Sequence, residues 1–338
     1  MNILMVSIYF YPSIGGIEII TENLANEFAR KGHKVTVVTN TPLNNGNIKE
    51  FQFKVLRNPS YAQLYKEYRK CDVYVHQSIS LKYIWPLFFM KKPFFIVYHQ
   101  VGWQHGIKGK MKEYVSKLAH NICVSKTTAN GYKLKSYDII YNAYNDEIFK
   151  CVNNGHRRDI AFVGRLNKGK GVYLLINAFN EFKKKVNCDY QLNIIGDSSE
   201  RNDIEKYANS TQFASDIKFW GAMSPEQISQ KLNKTHILVV PSTHPYYEAF
   251  GIVVLEGLAC GCVVIGADGD GIEEALQSAG ILYKNGDVKE LCNALIKAYT
   301  MSEEEVTEKR TITKKWLAQR TLSKVASEYI EVFKRVIQ

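Results

Sequence analysis

The first forty residues constrain the fold more than any other stretch. Asn2 to Ile8 is an apolar run of aliphatic and β-branched residues. Pro12 and the pair Gly15-Gly16 follow it, then an amphipathic stretch from Glu18 to Arg30 and a second β-type run, KVTVVT, at Lys34 to Thr39. Short apolar, β-branched runs separated by a glycine turn and an amphipathic stretch read as strand, loop, helix, strand. A βαβ unit of this kind fixes the two strands as parallel and neighbouring, and its crossover as right-handed. A parallel sheet must be covered on both faces, so the chain is read as α/β.

The rhythm continues. Asp72 to His76, Phe94 to His99, Ile122 to Ser125 and Asp138 to Tyr141 read as further strands of a first domain, residues 1–152. The polar segment Asn153 to Asp159 has the composition of a linker. A fresh strand at Ile160 to Val163 begins a second α/β domain, with further strands at Gln191 to Ile195, Ile217 to Trp220, Ile237 to Val240 and Val263 to Ile265. That domain is placed at residues 153–320, and a helical tail at 321–338 is free to pack back on the first domain. A chain of 338 residues suits two domains of ordinary size. The expected architecture is two Rossmann-like domains facing across a cleft.

Charge is uneven. Residues 1–150 carry 20 Lys/Arg against 10 Asp/Glu, whereas residues 151–338 carry 24 against 23. The formal excess of +11 therefore belongs to the first half, which points to an anionic partner there: a membrane surface, a lipid diphosphate or nucleic acid. A solvated lysine-rich surface fits equally well. The lysines include Lys66, Lys82, Lys91, Lys92, Lys108, Lys110 and Lys112, set among aromatics such as Tyr61, Trp85, Phe88 and Phe89. Tyr83 to Met90 reads either as a buried helix or as part of a peripheral membrane surface. No apolar run reaches the roughly 20 residues of a spanning helix. The N-terminus lacks a cationic stretch before its apolar run, so the expected location is cytoplasmic. Seven scattered cysteines without a C-x-x-C pair fit reduced thiols.

Three segments carry chemistry. At Gly15-Gly16, absent side chains let backbone N–H groups approach a phosphate at a helix start, although a plain turn fits too. The full G-x-G-x-x-G pattern is missing and Thr39-Asn40 closes the second strand, which disfavours a dinucleotide cofactor. In Val163 to Gly171, VGRLNKGKG, Arg165 and Lys170 fall within reach of one anion, the bidentate guanidinium and the ammonium that a leaving diphosphate requires. In Pro241 to Gly261, Glu248 and Glu256 are eight apart. A helix starting at Ala249 would set them about two turns from each other on one face, one carboxylate toward a sugar and one toward a ribose, with N–H groups of Ala249, Phe250 and Gly251 facing the ligand.

These segments together resemble a retaining glycosyltransferase of family 4 with the GT-B architecture. The likeness rests on GGIE at Gly15 to Glu18, the G-H-x-V-x-V-V-T segment at Gly32 to Thr39, G-R-L-x-x-x-K-G at Gly164 to Gly171, and E-x7-E from Glu248 to Glu256. Ile194 to Asp197 and Phe219 to Gly221 are shorter echoes, in loops where the family meets sugar, diphosphate and base, and they place Gly196 and Gly221 near the donor. The resemblance implies that Arg165 and Lys170 hold the diphosphate, Glu256 the ribose and Glu248 the transferred sugar, helped by backbone at Ala249 to Gly251. It also implies that Gly16 approaches the donor and that His99 faces sugar and acceptor.

The chain departs from the family pattern at Asn142-Ala143-Tyr144-Asn145 and at Asp270-Gly271, with Glu273 where proline is common. Asp268-Gly269-Asp270 spells D-x-D, read here as loop composition, so no metal and no cofactor are expected. The expected partners are a nucleotide diphosphate sugar, UDP- or GDP-linked, and a glycan or lipid-linked acceptor of cell-surface polysaccharide synthesis, with an anionic membrane surface beside them and no nucleic acid. A nucleotide-sugar epimerase of similar fold is the alternative.

Overall fold

The computed structural model describes residues 1–13, 15–43, 49–102, 106–152, 155, 157–243 and 248–338. Its contacts divide the chain into two units, residues 1–143 with 322–338, and residues 144–321.

The first unit runs β1 (Asn2–Val6), α1 (Gly16–Arg30), β2 (Lys34–Thr39), β3 (Lys54–Arg57), α2 (Tyr61–Lys70), β4 (Val73–Gln77), β5 (Phe94–Tyr98), α3 (Ile107–Ser116), β6 (His120–Cys123), α4 (Lys126–Tyr132) and β7 (Asp138–Ile139). Its seven strands form one sheet in the order β3-β2-β1-β4-β5-β6-β7, and every pairing is parallel. β4 and β5 are buried along their whole length, as sheet strands covered on both faces must be. One face packs on α2, α3 and α4 through Leu64, Tyr68, Val115, Ala129 and Tyr132. On the other, Phe28 of α1 and Phe95 of β5 meet Phe333 of the last helix, α12 (Leu322–Ile337), at ring distances of 5.9 and 4.7 Å. Arg335 of α12 also reaches Asp138.

The second unit runs β8 (Arg158–Val163), α5 (Val172–Lys185), β9 (Leu192–Ile195), α6 (Arg201–Asn209), β10 (Ile217–Gly221), α7 (Pro225–Leu232), β11 (Thr235–Val240), α8 (Ile252–Ala259), β12 (Val263–Ala267), α9 (Gly271–Leu276), β13 (Ile281–Tyr283), α10 (Val288–Tyr299) and α11 (Glu303–Leu317). Its six strands are ordered β10-β9-β8-β11-β12-β13, again all parallel. Local sequence writes many of the helix starts. Ser60, Ser224 and Ser302 form reciprocal capping boxes with Gln63, Gln227 and Glu305, each satisfying two backbone N–H groups that a helix end leaves without partners.

Several expectations need correcting. Residues 144–152, read as part of the first domain, belong by their contacts to the second unit. Ser229 Oγ donates to Ile148 O at 2.8 Å, and Asn233 bridges Val152 N and Lys150 O at 2.9 and 3.0 Å. The linker read at Asn153 to Asp159 falls partly outside the described residues, at 153, 154 and 156. Tyr83 to Met90 is neither an α-helix nor buried throughout: it takes in the end of the 3-10 turn Leu81–Tyr83 and all of the turn Trp85–Phe88, which holds Pro86, and Phe88 and Phe89 are exposed. Strands β3 and β13 went unread. Both are short edge strands: β3 has four residues and is mostly half-buried, and β13 has three, all apolar, too few to show a period.

Candidate active site

In an open parallel sheet the loops at the carboxyl ends of the strands gather on one edge, and ligands bind where the strand order reverses. In the second unit that switch point lies between β8 and β11. The loops following those two strands are locked together there. Gly169 O accepts from Thr243 N at 3.0 Å, and Gly171, at φ +70°, lies so close to Pro241 that a Cβ on it would sit 1.8 Å from the carbonyl oxygen. Only glycine permits both that backbone conformation and that approach.

On this frame the predicted cation and carboxylate meet. Lys170 ends a 3-10 turn, Lys168–Lys170, capped by Asn167, whose Oδ1 accepts from Lys170 N at 3.1 Å. Its ammonium forms an ion pair with the Glu248 carboxylate, which also accepts from Ser242 Oγ at 3.4 Å. The Glu248 backbone is held from the next loop: its N–H donates to Asp270 Oδ2 at 3.0 Å, and its carbonyl accepts from Gly271 N at 3.0 Å. Arg165 is exposed on the same loop as Lys170, and no described group bonds to its guanidinium.

The expectation of one helix carrying both glutamates is overturned. Helix α8 begins at Ile252, not Ala249, because Gly251 adopts a left-handed conformation (φ +77°) that breaks the run. Glu248, Ala249 and Phe250 therefore belong to a loop, and the N–H groups of Ala249 to Gly251 are not those of a helical turn. Glu256 does lie in α8, among Val254, Leu255 and Gly257, and Gly257 brings the helix close enough to β11 that a Cβ would meet Leu238 at 2.2 Å. Desolvation pushes the Glu256 carboxyl up to about 7, and no described group bonds to its side chain. The carboxyl is half-buried and has no partner among the described residues. His244 to Tyr247, within the same motif, lie outside the described residues.

Gly196 and Gly221 complete the edge. Gly196 N donates to Gly221 O at 2.8 Å, and a Cβ on Gly196 would fall 1.8 Å from Gly164 O. These glycines join the loops after β8, β9 and β10 backbone to backbone. Asp268 and Asp270 are both engaged with backbone: Asp268 Oδ1 accepts from Asn285 N at 2.8 Å, and Asp270 Oδ1 caps α9 through Ile272 N at 2.8 Å. Sequence reasoning missed Asn167, Ser242 and the positioning role of Asp270. A side-chain cap at Asn167 was legible, since Asn before a turn is a capping residue. The other two act through partners that only the fold brings near.

The first unit presents its own carboxyl edge. Gly15 caps α1, and Gly16 begins it with no heavy atom within 4 Å of where a Cβ would stand, so the backbone is open there. Glu18 turns back to accept from Ser13 Oγ at 3.2 Å. His99, just after β5, pairs through Nε2 with Gln77 Oε1 at 2.7 Å, and burial lowers its pKa to about 4, so the ring is neutral near pH 7. Its Nδ1 has no partner among the described residues. A small pocket beside it is lined by Ser78, Tyr98, Gln100, Gly102, Lys112 and Tyr132.

Two doubly wound parallel sheets, the second with a lysine–glutamate pair at its switch point, define the class: this is a glycosyltransferase of the GT-B fold. The chain belongs to the family described as Glycosyl transferases group 1, which residues 144–315 match, and residues 14–147 match Glycosyltransferase Family 4. An uncharacterized glycosyltransferase of Methanocaldococcus jannaschii is 30% identical over 305 residues, covering 81% of each chain. One component of the phosphatidylinositol N-acetylglucosaminyltransferase of Homo sapiens is 27% identical over 342 residues, covering 88% of this chain and 68% of its own. Among solved structures, Anabaena HepE in complex with UDP and glucose superposes with a TM-score of 0.81 over 99% of this chain and 100% of that one, at 17% identity, a likeness of fold.

Proposed function

We propose that the chain is a retaining glycosyltransferase that moves a sugar from a UDP-sugar to a lipid-linked acceptor. The observation that carries this reading is the Lys170–Glu248 pair at the switch point of the second sheet. A cation and a carboxylate held side by side at one loop edge suit the two parts of such a donor: the ammonium goes to the diphosphate, the carboxylate to the sugar hydroxyls. Arg165 adds a bidentate grip on the phosphate oxygens. Glu256 accepts from the ribose hydroxyls, which provide the partners its carboxyl lacks.

In this scheme the bond from the anomeric carbon to the diphosphate oxygen breaks through an oxocarbenium-like transition state. The acceptor hydroxyl attacks from the same face, its proton passing to the departing diphosphate, so the configuration is retained. Charge grows on the diphosphate as the bond breaks, and Arg165 and Lys170 stabilise it where it develops. They supply positive charge without a metal or cofactor. His99, neutral and oriented by Gln77, serves as a hydrogen-bonding group toward the sugar, and the basic first unit receives an anionic acceptor. Gly15 and Gly16 bring the start of α1 toward the phosphates, with open space beside Gly16. The named ligands of HepE and the named activity of the human relative support a UDP-sugar and a lipid acceptor.

A thermal-shift panel of UDP-, GDP-, ADP- and CMP-sugars tests the donor, with stabilisation by UDP-sugars expected. NMR of the product anomer then tests retention; an inverted product would refute it. Change of a UDP-sugar without any acceptor would point instead to epimerisation.

A further inference from the structure

The helix α3 carries its apolar residues on the wrong side for a soluble surface. Its face toward the first sheet is made by Gly109, Val115 and Ser116, all buried. Ile107, Met111 and Tyr114, together with Leu118 just past the helix end, are 80%, 51%, 65% and 55% exposed. At 100° per residue these four fall within an arc of about 60°, a single stripe directed away from the sheet. Lys110 and Lys117 flank the stripe on one side and Lys108 on the other.

A second apolar surface belongs to the same layer. Helix α2, the turns at 81–88 and α3 all cover one face of the sheet, since Leu64, Tyr68, Tyr83, Ile84 and Val115 share one core cluster. From that layer Phe88 and Phe89 project at 73% exposure each. Phe89 is braced by Tyr65 and Trp85 at ring distances of 6.3 and 5.9 Å. Between residues 61 and 133 the sequence holds twelve Lys/Arg against three Asp/Glu. A second copy of this surface would bring like charges together, so self-association does not suit it. An anionic bilayer meets both demands, taking the apolar side chains into its interfacial region while its headgroups neutralise the lysines.

We propose that the exposed stripe of α3 and the Phe88-Phe89 tip form the surface by which the first unit beds into an anionic lipid bilayer. This rests on the reading that the acceptor is carried by a membrane lipid, and it assigns the residues that bring the unit to that lipid.

Flotation with vesicles of phosphatidylcholine alone or with phosphatidylglycerol added tests it at low and high salt. The intact chain should float with anionic vesicles at low salt and lose most of that binding at high salt. The triple variant Ile107→Ser, Met111→Ser, Leu118→Ser and the pair Phe88→Ser, Phe89→Ser should each weaken partition by about tenfold or more. Reversal of Lys108, Lys110 and Lys117 to Glu should abolish it, since each lysine near the surface contributes roughly fivefold. All these positions are exposed, and UDP-induced thermal shift, read on the same proteins, should be unchanged. Equal flotation of variants and parent, or no binding to anionic vesicles, would overturn the surface. So would a concentration-dependent dimer lost in the serine variants. Failure of the UDP shift with flotation intact would count against the UDP-sugar donor alone.

Discussion

Lys170 and Glu248 stand 78 residues apart in the chain, yet their side chains form an ion pair. Each is held by backbone contacts outside itself: Asn167 fixes the turn that carries the lysine, and Asp270 and Gly271 fix the loop that carries the glutamate. The pair is thus the product of three loops, after β8, β11 and β12. Such preorganisation is what makes charge stabilisation effective when a leaving group departs.

Removal of the cation should therefore act on turnover. Lys170→Ala is expected to lower kcat at saturating donor by about 10²–10³, the range seen when one group facing developing charge is lost. Arg165→Ala should raise the KM for donor as well, if the guanidinium grips the ground-state diphosphate as proposed. Steady-state kinetics of both variants check this; kcat for Lys170→Ala near that of the parent would remove lysine from the site.

Glu256 provides a pH signature. Its carboxyl titrates near 7 in the free protein because burial disfavours its charged form. Ribose hydroxyls bond better to the carboxylate than to the acid, so donor affinity should fall about tenfold per pH unit below 7 and level off above it. Glu256→Gln should bind more weakly at pH 8 and show no such slope. Calorimetric titration with UDP from pH 5.5 to 8.5 decides it, and a slope that survives in the Gln variant would assign the proton elsewhere.

The glycine contacts predict a stability effect confined to the second unit. Gly171→Ala forces a side chain into a left-handed backbone and against the Pro241 carbonyl. A loss of about 2–4 kcal/mol is expected, with the donor site disrupted at the same time. Gly16→Ala is the contrast: its Cβ would meet nothing within 4 Å, and stability should be unchanged or slightly higher. Denaturant unfolding of the two variants would show a reversed order if the packing were otherwise.

His76 makes the first unit sensitive to acid. It is fully buried, neither ring nitrogen has a partner among the described residues, and burial lowers its pKa to about 3. The unfolded chain takes up a proton near pH 6.5 that the folded chain refuses, so the histidine's contribution is complete above 6.5 and declines as pH falls. The slope is about 1.4 kcal/mol per pH unit. His76→Phe should lower the slope between pH 5 and 6.5 in urea unfolding by about 1.4 kcal/mol per pH unit, leaving the part owed to His99; an unchanged slope would show that His76 is not responsible.

Much of this protein was legible in one dimension. Strand β2 has the bounds its sequence implies, because KVTVVT is a short β-branched run, and the GRLNKGKG and E-x7-E segments contain Lys170 and Glu248, which pair at the second switch point. Local rules of that kind depend on neighbours within a few positions, which the sequence contains by itself. Other features depend on what the backbone meets. The helix expected at Ala249 begins at Ile252, because Gly251 adopts a left-handed conformation and the preceding residues are bound to Asp270 and Gly271 instead.

The same division applies to side chains. That Ile107, Met111, Tyr114 and Leu118 share one helical face follows from their spacing. That this face is left open follows only from which side of α3 the sheet takes, a choice made by Gly109, Val115 and Ser116. Periodicity identifies faces, but burial is decided by the partner that arrives, and partners such as Ser242 and Asp270 are joined to Glu248 only by the closing of loops distant in the chain.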